Sequence, residues 1–238
     1  MARGARRGRG CGRLGRRAVL ALGLLAVSAA KAGAACSLSL VLALDVSSSV
    51  DGREYRLQRE GLAAALADPA VVEAIAAQGG IWITAFEWSG TEQQFDWLEW
   101  THVEDAGSIG RAAARVAAAR RASEGFPTAL GYALGHALAR LRDAPERCLR
   151  QVIDVAGDGV NNHGFPPRST YRANDMTGIT VNGLVIEGEV PPPVPFYRAE
   201  VLHGPGAFLE VTASYEDYAE AMRRKLLREL AAQYVMAR

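Results

Sequence analysis

Asp45, Ser47 and Ser49 alternate along five residues that directly follow the apolar run Leu38 to Leu44. A tight loop leaving a strand can turn such alternating side chains toward one point, which here would gather a carboxylate and two hydroxyls. Those oxygens suit a hard divalent cation such as Mg²⁺, which takes an octahedron of oxygen ligands and keeps some of its waters. Mn²⁺ or Ca²⁺ would find the same donors. Alone, the spacing is better explained as a helix N-terminal cap in a serine-rich turn. Two further residues reverse that preference: Asp158 ends a second apolar run and could add a carboxylate, and Thr128, where a loop becomes a helix, could add a hydroxyl.

Such residues need a rigid frame, and segments of alternating type supply it. Leu38 to Asp45 reads as a strand buried on both faces. Val50 to Ala67 has helical spacing (Tyr55, Leu57, Leu62, Leu66); Asp68-Pro69 interrupts it before a shorter helix through Gln78, which Gly79-Gly80 stops. Ile81 to Trp88 and Gln94 to His102, joined at Ser89-Gly90-Thr91, predict an antiparallel hairpin at a sheet edge. Trp82, Trp88, Trp97 and Trp100 all fall in it, and are expected to pack under covering helices; the alternative is an exposed aromatic platform. Helical patterns follow at Asp105 to Arg121 and Thr128 to Arg142, then a strand at Arg150 to Ala156 and a short helix near Ser169 to Met176. A strand at Ile179 to Ile186, a proline-rich loop at Pro191 to Pro195, a last strand at Phe208 to Thr212 and an amphipathic helix at Tyr215 to Tyr234 complete the chain. The alternation predicts an α/β fold: a doubly wound, mostly parallel sheet with one antiparallel edge strand and helices on both faces. Ligands of such sheets bind at the carboxyl ends of the strands, near the point where strand order reverses. Asp45 and Asp158 are therefore expected at the rim and not in the core.

Asp45-x-Ser47-x-Ser49 after a buried strand, Thr128 in Thr128-Ala129-Leu130-Gly131, and Asp158-Gly159 after another buried strand resemble the metal ion-dependent adhesion site (MIDAS) of von Willebrand factor type A (vWA) domains. Order and spacing agree over essentially all of residues 36–238. Within that superfamily, Val152 to Asn162, VIDVAGDGVNN, is similar to a bacterial group of exported proteins known as DUF1194, which brings no established activity. The resemblance implies a Rossmann-like vWA fold in which Ser47 and Ser49 bind the cation directly. It implies that Thr128 binds directly in a ligand-competent state, and Asp45 and Asp158 directly or through water. It also implies a partner protein whose acidic side chain completes the coordination, so that the metal is a bridge and not a catalyst. Pro127, beside Thr128, is expected to limit movement of that loop. Cys36 and Cys148 each precede a strand that carries a metal-site aspartate. The superfamily's sheet order makes those strands neighbours, which implies a Cys36–Cys148 disulfide at the end opposite the metal, closing a loop of about 110 residues.

Gly157-Asp158-Gly159 also resembles the metal-binding motif of haloacid dehalogenase-type phosphatases, so the alternative function is an Mg²⁺-dependent phosphatase-like hydrolase of the cell envelope. That family needs a second aspartate where Ser47 stands, and a lysine before the Gly-Asp-Gly loop; the only lysines are Lys31 and Lys225. A calcium EF-hand beginning at Asp45 fails at Val50, which should be glycine, and at Arg56, which should be glutamate. Ser47 to Ser49 lack the Gly-x-Ser-x-Gly elbow of serine hydrolases, and His102, His136, His163 and His203 have no spacing that nominates a base. His136 is expected on a helix face and His163 in a loop near the metal, where it could touch a partner.

Residues 1–17 hold seven arginines and no acid, and the apolar run Ala18 to Ala30 follows, with small residues through Ala35. Residues 1–35 therefore read as a signal peptide, the run being short of the roughly 20 residues a membrane span needs. The alternatives are a retained anchor, twin-arginine export through Arg16-Arg17, and lipidation at Cys36, although Gly33 stands where a lipobox has leucine. Membrane contact is expected only if the leader or a lipidated Cys36 is retained. Eight of the 27 basic residues and none of the 26 acidic ones lie in residues 1–35, so the rest carries 19 against 26, a net charge of −7. That balance argues against nucleic acid as a partner. The remaining 203 residues suffice for one domain, 36–238, exported to the periplasm or secreted. Two cysteines, Cys36 and Cys148, remain for an oxidising compartment.

Overall fold

The computed structural model describes residues 36–231. The expected leader, 1–35, and the end of the last helix beyond 231 lie outside the described residues. Six strands, β1 (Leu38–Asp45), β2 (Ile81–Trp88), β3 (Gln94–Val103), β4 (Arg150–Gly157), β5 (Ile179–Ile186) and β6 (Leu209–Thr212), form one sheet in the order β3-β2-β1-β4-β5-β6. Every pairing is parallel except β2 with the edge strand β3. All eight residues of β1 are buried, as its near-continuous apolar run demands of a central strand.

The helices are α1 (Gly52–Leu66), α2 (Pro69–Ala77), α3 (Ala106–Ala117), α4 (Leu130–Arg142), α5 (Pro167–Ala173), α6 (Pro193–Phe196) and α7 (Tyr218–Ala231). Alternation along β1 divides the core between two faces. Leu38, Leu40, Leu42 and Leu44 pack with α1, α2, α3 and α7, whereas Val41 and Ala43 pack with α4 and residues 194–201. Three aspartates start helices. Asp51 caps α1 in a reciprocal capping box with Glu54, Asp68 caps α2 ahead of Pro69, and Asp105 caps α3 with Ser108.

Several boundaries differ from the sequence reading. The helix expected to run to Arg121 ends at Ala117, because Arg121 turns back to donate from Nη2 to the Val46 carbonyl at 2.8 Å and from Nε to that of Ser123 at 2.8 Å. The Pro191–Pro195 segment is only partly loop. Pro193 opens α6, where a missing N–H costs nothing, and α6 runs directly into a π-helical turn, Tyr197–Val201. Of the tryptophans, Trp88 is fully buried; Trp82, Trp97 and Trp100 are half-buried. Trp97 and Trp100 pack against opposite faces of the core and donate to Glu87 and to the Arg140 carbonyl, so they form no exposed platform.

β1 pairs with β4 in a register that sets Leu38 beside Arg150. The residues two places earlier, Cys36 and Cys148, then lie side by side and form a disulfide, with Cα atoms 4.5 Å apart and a separation of 112 in sequence.

Candidate metal centre

Strand order reverses between β1 and β4, and both strands end there, with Leu44 beside Ala156. Asp45 Oδ1 accepts from the Ser47 amide at 2.8 Å, which closes the loop and turns the Ser47 hydroxyl to within 3.2 Å of the Ser49 hydroxyl. Ser49 donates to Asp158 Oδ1 at 2.8 Å. Thr128 Oγ1 lies against Gly159, 3.6 Å from where a Cβ would stand. The structure thus links Asp45, Ser47, Ser49 and Asp158 in one chain of contacts, with the Thr128 hydroxyl beside its Asp158–Gly159 end.

These residues are not at an open rim. Asp45 and Ser47 are 0 % exposed and Thr128 and Asp158 4 %; Ser49 alone is half-buried. The cover comes from neighbouring loops. Ser48 donates from its amide to the Phe126 carbonyl at 2.8 Å, which draws residues 122–128 across the serines. Tyr215 donates to Asp158 Oδ2 at 3.1 Å from below.

Several residues that sequence reasoning missed hold these loops. Buried Glu87, at the end of β2, accepts from the amides of Ala122 and Ser123 at 2.7 and 3.1 Å, and Ser123 pairs with Ser89 through their hydroxyls at 3.0 Å. The Thr128 amide donates to Asn162 Oδ1 at 2.9 Å, and the Thr128 carbonyl accepts from the amides of Asn162 and His163. Asn161 Oδ1 accepts from the Gly131 amide at 3.3 Å at the start of α4. The asparagines sat within the quoted VIDVAGDGVNN run, but nothing in the sequence showed that they clamp Thr128. His163 is exposed in the loop after β4. His136 lies on α4, packed on Phe86 and 3.5 Å from Asp96.

Burial raises the pKa of Asp45 well above the ordinary carboxylate value, and the charge of Asp158 raises it further against the Ser47 hydrogen bonds and Arg121. Burial raises that of Asp158 too, opposed by the hydrogen bonds from Ser49 and Tyr215. Asp45 Oδ2 is buried without a hydrogen-bond partner among the described residues. A buried carboxylate oxygen facing a second carboxylate is costly unless a cation or proton compensates it. Among the described residues no three His, Cys, Asp or Glu side chains gather into a metal-holding group. The donors here are two carboxylates and three hydroxyls, all hard oxygens, a set that fits Mg²⁺, Mn²⁺ or Ca²⁺ better than a soft thiophilic metal.

Residues 35–234 match the family model described as a protein of unknown function, DUF1194. The chain belongs to the DUF1194 family. No curated protein matches this DUF1194 chain. Its fold is similar to that of proximal thread matrix protein 1 from the mussel byssus, with a TM-score of 0.61 at 14 % identity over 83 % of this chain and 48 % of that one. A second structure of the mussel protein, with zinc occupying its MIDAS motif, gives a TM-score of 0.58 at 15 % identity over 83 % of this chain and 48 % of that one. A von Willebrand factor type A protein from Catenulispora acidiphila gives 0.57 at 19 % identity, over 82 % and 43 %. The DUF1194 chain spans about half the length of the mussel protein. At these identities the likeness establishes the fold, which is that of a vWA domain.

Proposed function

We propose that this protein is an exported, non-catalytic interaction domain. It holds a divalent cation, Mg²⁺ foremost, at Asp45, Ser47, Ser49, Thr128 and Asp158, and through it grips an acidic side chain of a partner protein. The observation that carries the reading is the unpartnered, fully buried Asp45 Oδ2 beside a set of hard oxygen donors at the switch point of the sheet. The zinc-occupied MIDAS of the mussel protein supports a divalent cation in general. When bound, the cation would supply a positive charge able to accept an external carboxylate.

The surrounding surface supports binding. Five large apolar side chains stand exposed among the described residues, and three of them lie near the site: Phe95 pairs with Glu87 at the end of β2, the Phe126 carbonyl accepts from the Ser48 amide, and Phe165 stacks on Tyr132 in the first turn of α4. Apolar exposure concentrated at one edge marks an interaction surface. The phosphatase alternative has no lysine for its intermediate, since Lys225 is fully buried and ion-paired with Asp154 and Glu229. Among the described residues no helix is long and apolar enough to cross a membrane; export rests on the leader.

Affinity capture from cell-envelope extract, with Mg²⁺ or EDTA, tests the reading. A partner retained by the native protein in Mg²⁺ and lost both in EDTA and with Asp45→Ala is expected, together with no hydrolysis of an aryl phosphate in Mg²⁺. Retention that ignores both EDTA and the substitution would contradict it.

A further inference from the structure

The two aspartates of the candidate centre stand on two tyrosines, one from each layer of the core. Tyr215, in the turn before α7, belongs to the α1/α7 side and donates to Asp158 Oδ2 at 3.1 Å. Tyr197 rises from the α4 side and is fully buried. Its hydroxyl has no hydrogen-bond partner among the described residues, and neither has Asp45 Oδ2. Both atoms crowd the same backbone position: a Cβ on Gly157 would lie 2.6 Å from the Tyr197 hydroxyl and 2.9 Å from Asp45 Oδ2.

The chain gives up a good deal to keep that hydroxyl in place. Two central-strand positions lack side chains around Tyr197, since a Cβ on Gly183 would also lie 2.9 Å from its ring. The residue opens the π-helical turn Tyr197–Val201, a geometry that is rare in general and frequent at functional sites. A phenylalanine would fill the same space without burying a polar atom. A carboxylate offers only acceptor oxygens, so toward Asp45 the Tyr197 hydroxyl can only donate.

We infer that Tyr197 and Tyr215 are positioning residues of the metal centre, Tyr215 fixing Asp158 and Tyr197 donating to Asp45 Oδ2 once a cation is seated. This rests on the reading of the five residues as a cation site. Holding an oxygen of each carboxylate from the protein side leaves the cation less neutralised than two unshared aspartates would, and so more receptive to a partner's carboxylate. Partners of ligating groups of this kind typically change metal affinity 10- to 100-fold when removed.

The test is titration of EDTA-stripped protein with Mg²⁺ by calorimetry, for wild type, Tyr197→Phe, Tyr215→Phe and Asp45→Asn, with thermal melts in EDTA alongside. Tyr197→Phe is expected to weaken Mg²⁺ binding about tenfold or more and to leave the melting temperature in EDTA unchanged or raised. A merely structural tyrosine cannot produce that pair of results. Tyr215→Phe is expected to weaken binding and to lower the melting temperature as well, because its hydrogen bond to Asp158 exists without the cation. The Mg²⁺-induced tyrosine ultraviolet difference spectrum is expected to shrink in Tyr197→Phe. Wild-type Mg²⁺ affinity in Tyr197→Phe would overturn the role assigned to it. Absent Mg²⁺ binding in wild type, or equal binding in Asp45→Asn, would overturn the metal centre itself, an outcome distinct from the first.

Discussion

Asp45 is where folding and binding pull in opposite directions. Its carboxylate is completely buried, one oxygen satisfied by the Ser47 amide and the other by nothing among the described residues. Asp45→Asn keeps the shape and removes the charge. It is expected to stabilise the cation-free protein by about 1–3 kcal/mol, seen as a higher melting temperature in EDTA, and to abolish the further rise that Mg²⁺ gives the wild type. The pH dependence follows from the same residues. A carboxyl whose pKa is raised in the folded state holds its proton longer there than in the unfolded chain, so its contribution to stability is lost as pH rises from the ordinary carboxylate range through the raised value. In EDTA, melts should therefore show stability falling over that window, and Mg²⁺ should offset the fall. That Asp45, Ser47, Ser49, Thr128 and Asp158 would lie near one another was legible in the sequence, because each lies at or just past a strand end or at a helix start and the five together resemble the vWA motif. Glu87, Arg121 and Tyr197 were not, because each acts across the fold from a segment with its own local reading.

Among the elements, the loop 158–165 and the helix α7 carry the features least visible beforehand. Asn162 receives the Thr128 amide, so Asn162→Ala should cost about 1 kcal/mol of stability and weaken Mg²⁺ binding with it, as urea denaturation and calorimetry would show. α7 read as an ordinary amphipathic helix, which would turn its charges to solvent. Lys225 and Glu229 instead face inward and form a buried group with Asp154, Asn182 and Arg150, and Lys225 pairs with both acids. No spacing in the helix reveals this, since the partners lie on β4 and β5. Lys225→Met removes the cation paired with buried Asp154 and leaves Glu229 with Arg150 alone, and is expected to destabilise by roughly 3–5 kcal/mol, read as a lower urea midpoint. Burial and the charge of Asp154 raise the Glu229 pKa from 4.5 to about 7, so this group adds its own loss of stability as pH climbs from about 4.5 through about 7. The α6 and π-helical turn escaped the sequence reading because the four prolines of residues 191–195 mark a loop until one of them is recognised as a helix start.

At the scale of the molecule, one sheet separates two features: the candidate cation site at the carboxyl end of β1 and β4, and the disulfide at their other end. The mostly parallel, doubly wound sheet was legible because apolar runs alternate with helical segments, whereas the adjacency of β1 and β4, and with it the cysteine pairing, was legible only through the resemblance to vWA domains. Reducing Cys36–Cys148 is expected to cost roughly 2–5 kcal/mol, seen as a lower urea midpoint with Mg²⁺ binding kept, since the bond is remote from the site. Protein purified from the periplasm should show no free Cys148 thiol by mass spectrometry. The most direct test of the cation site is calorimetric titration of Mg²⁺ into EDTA-stripped wild type, Asp45→Asn and Ser47→Ala. One Mg²⁺ per chain in the wild type and none in either variant is the expected result; equal Mg²⁺ binding in all three would contradict it.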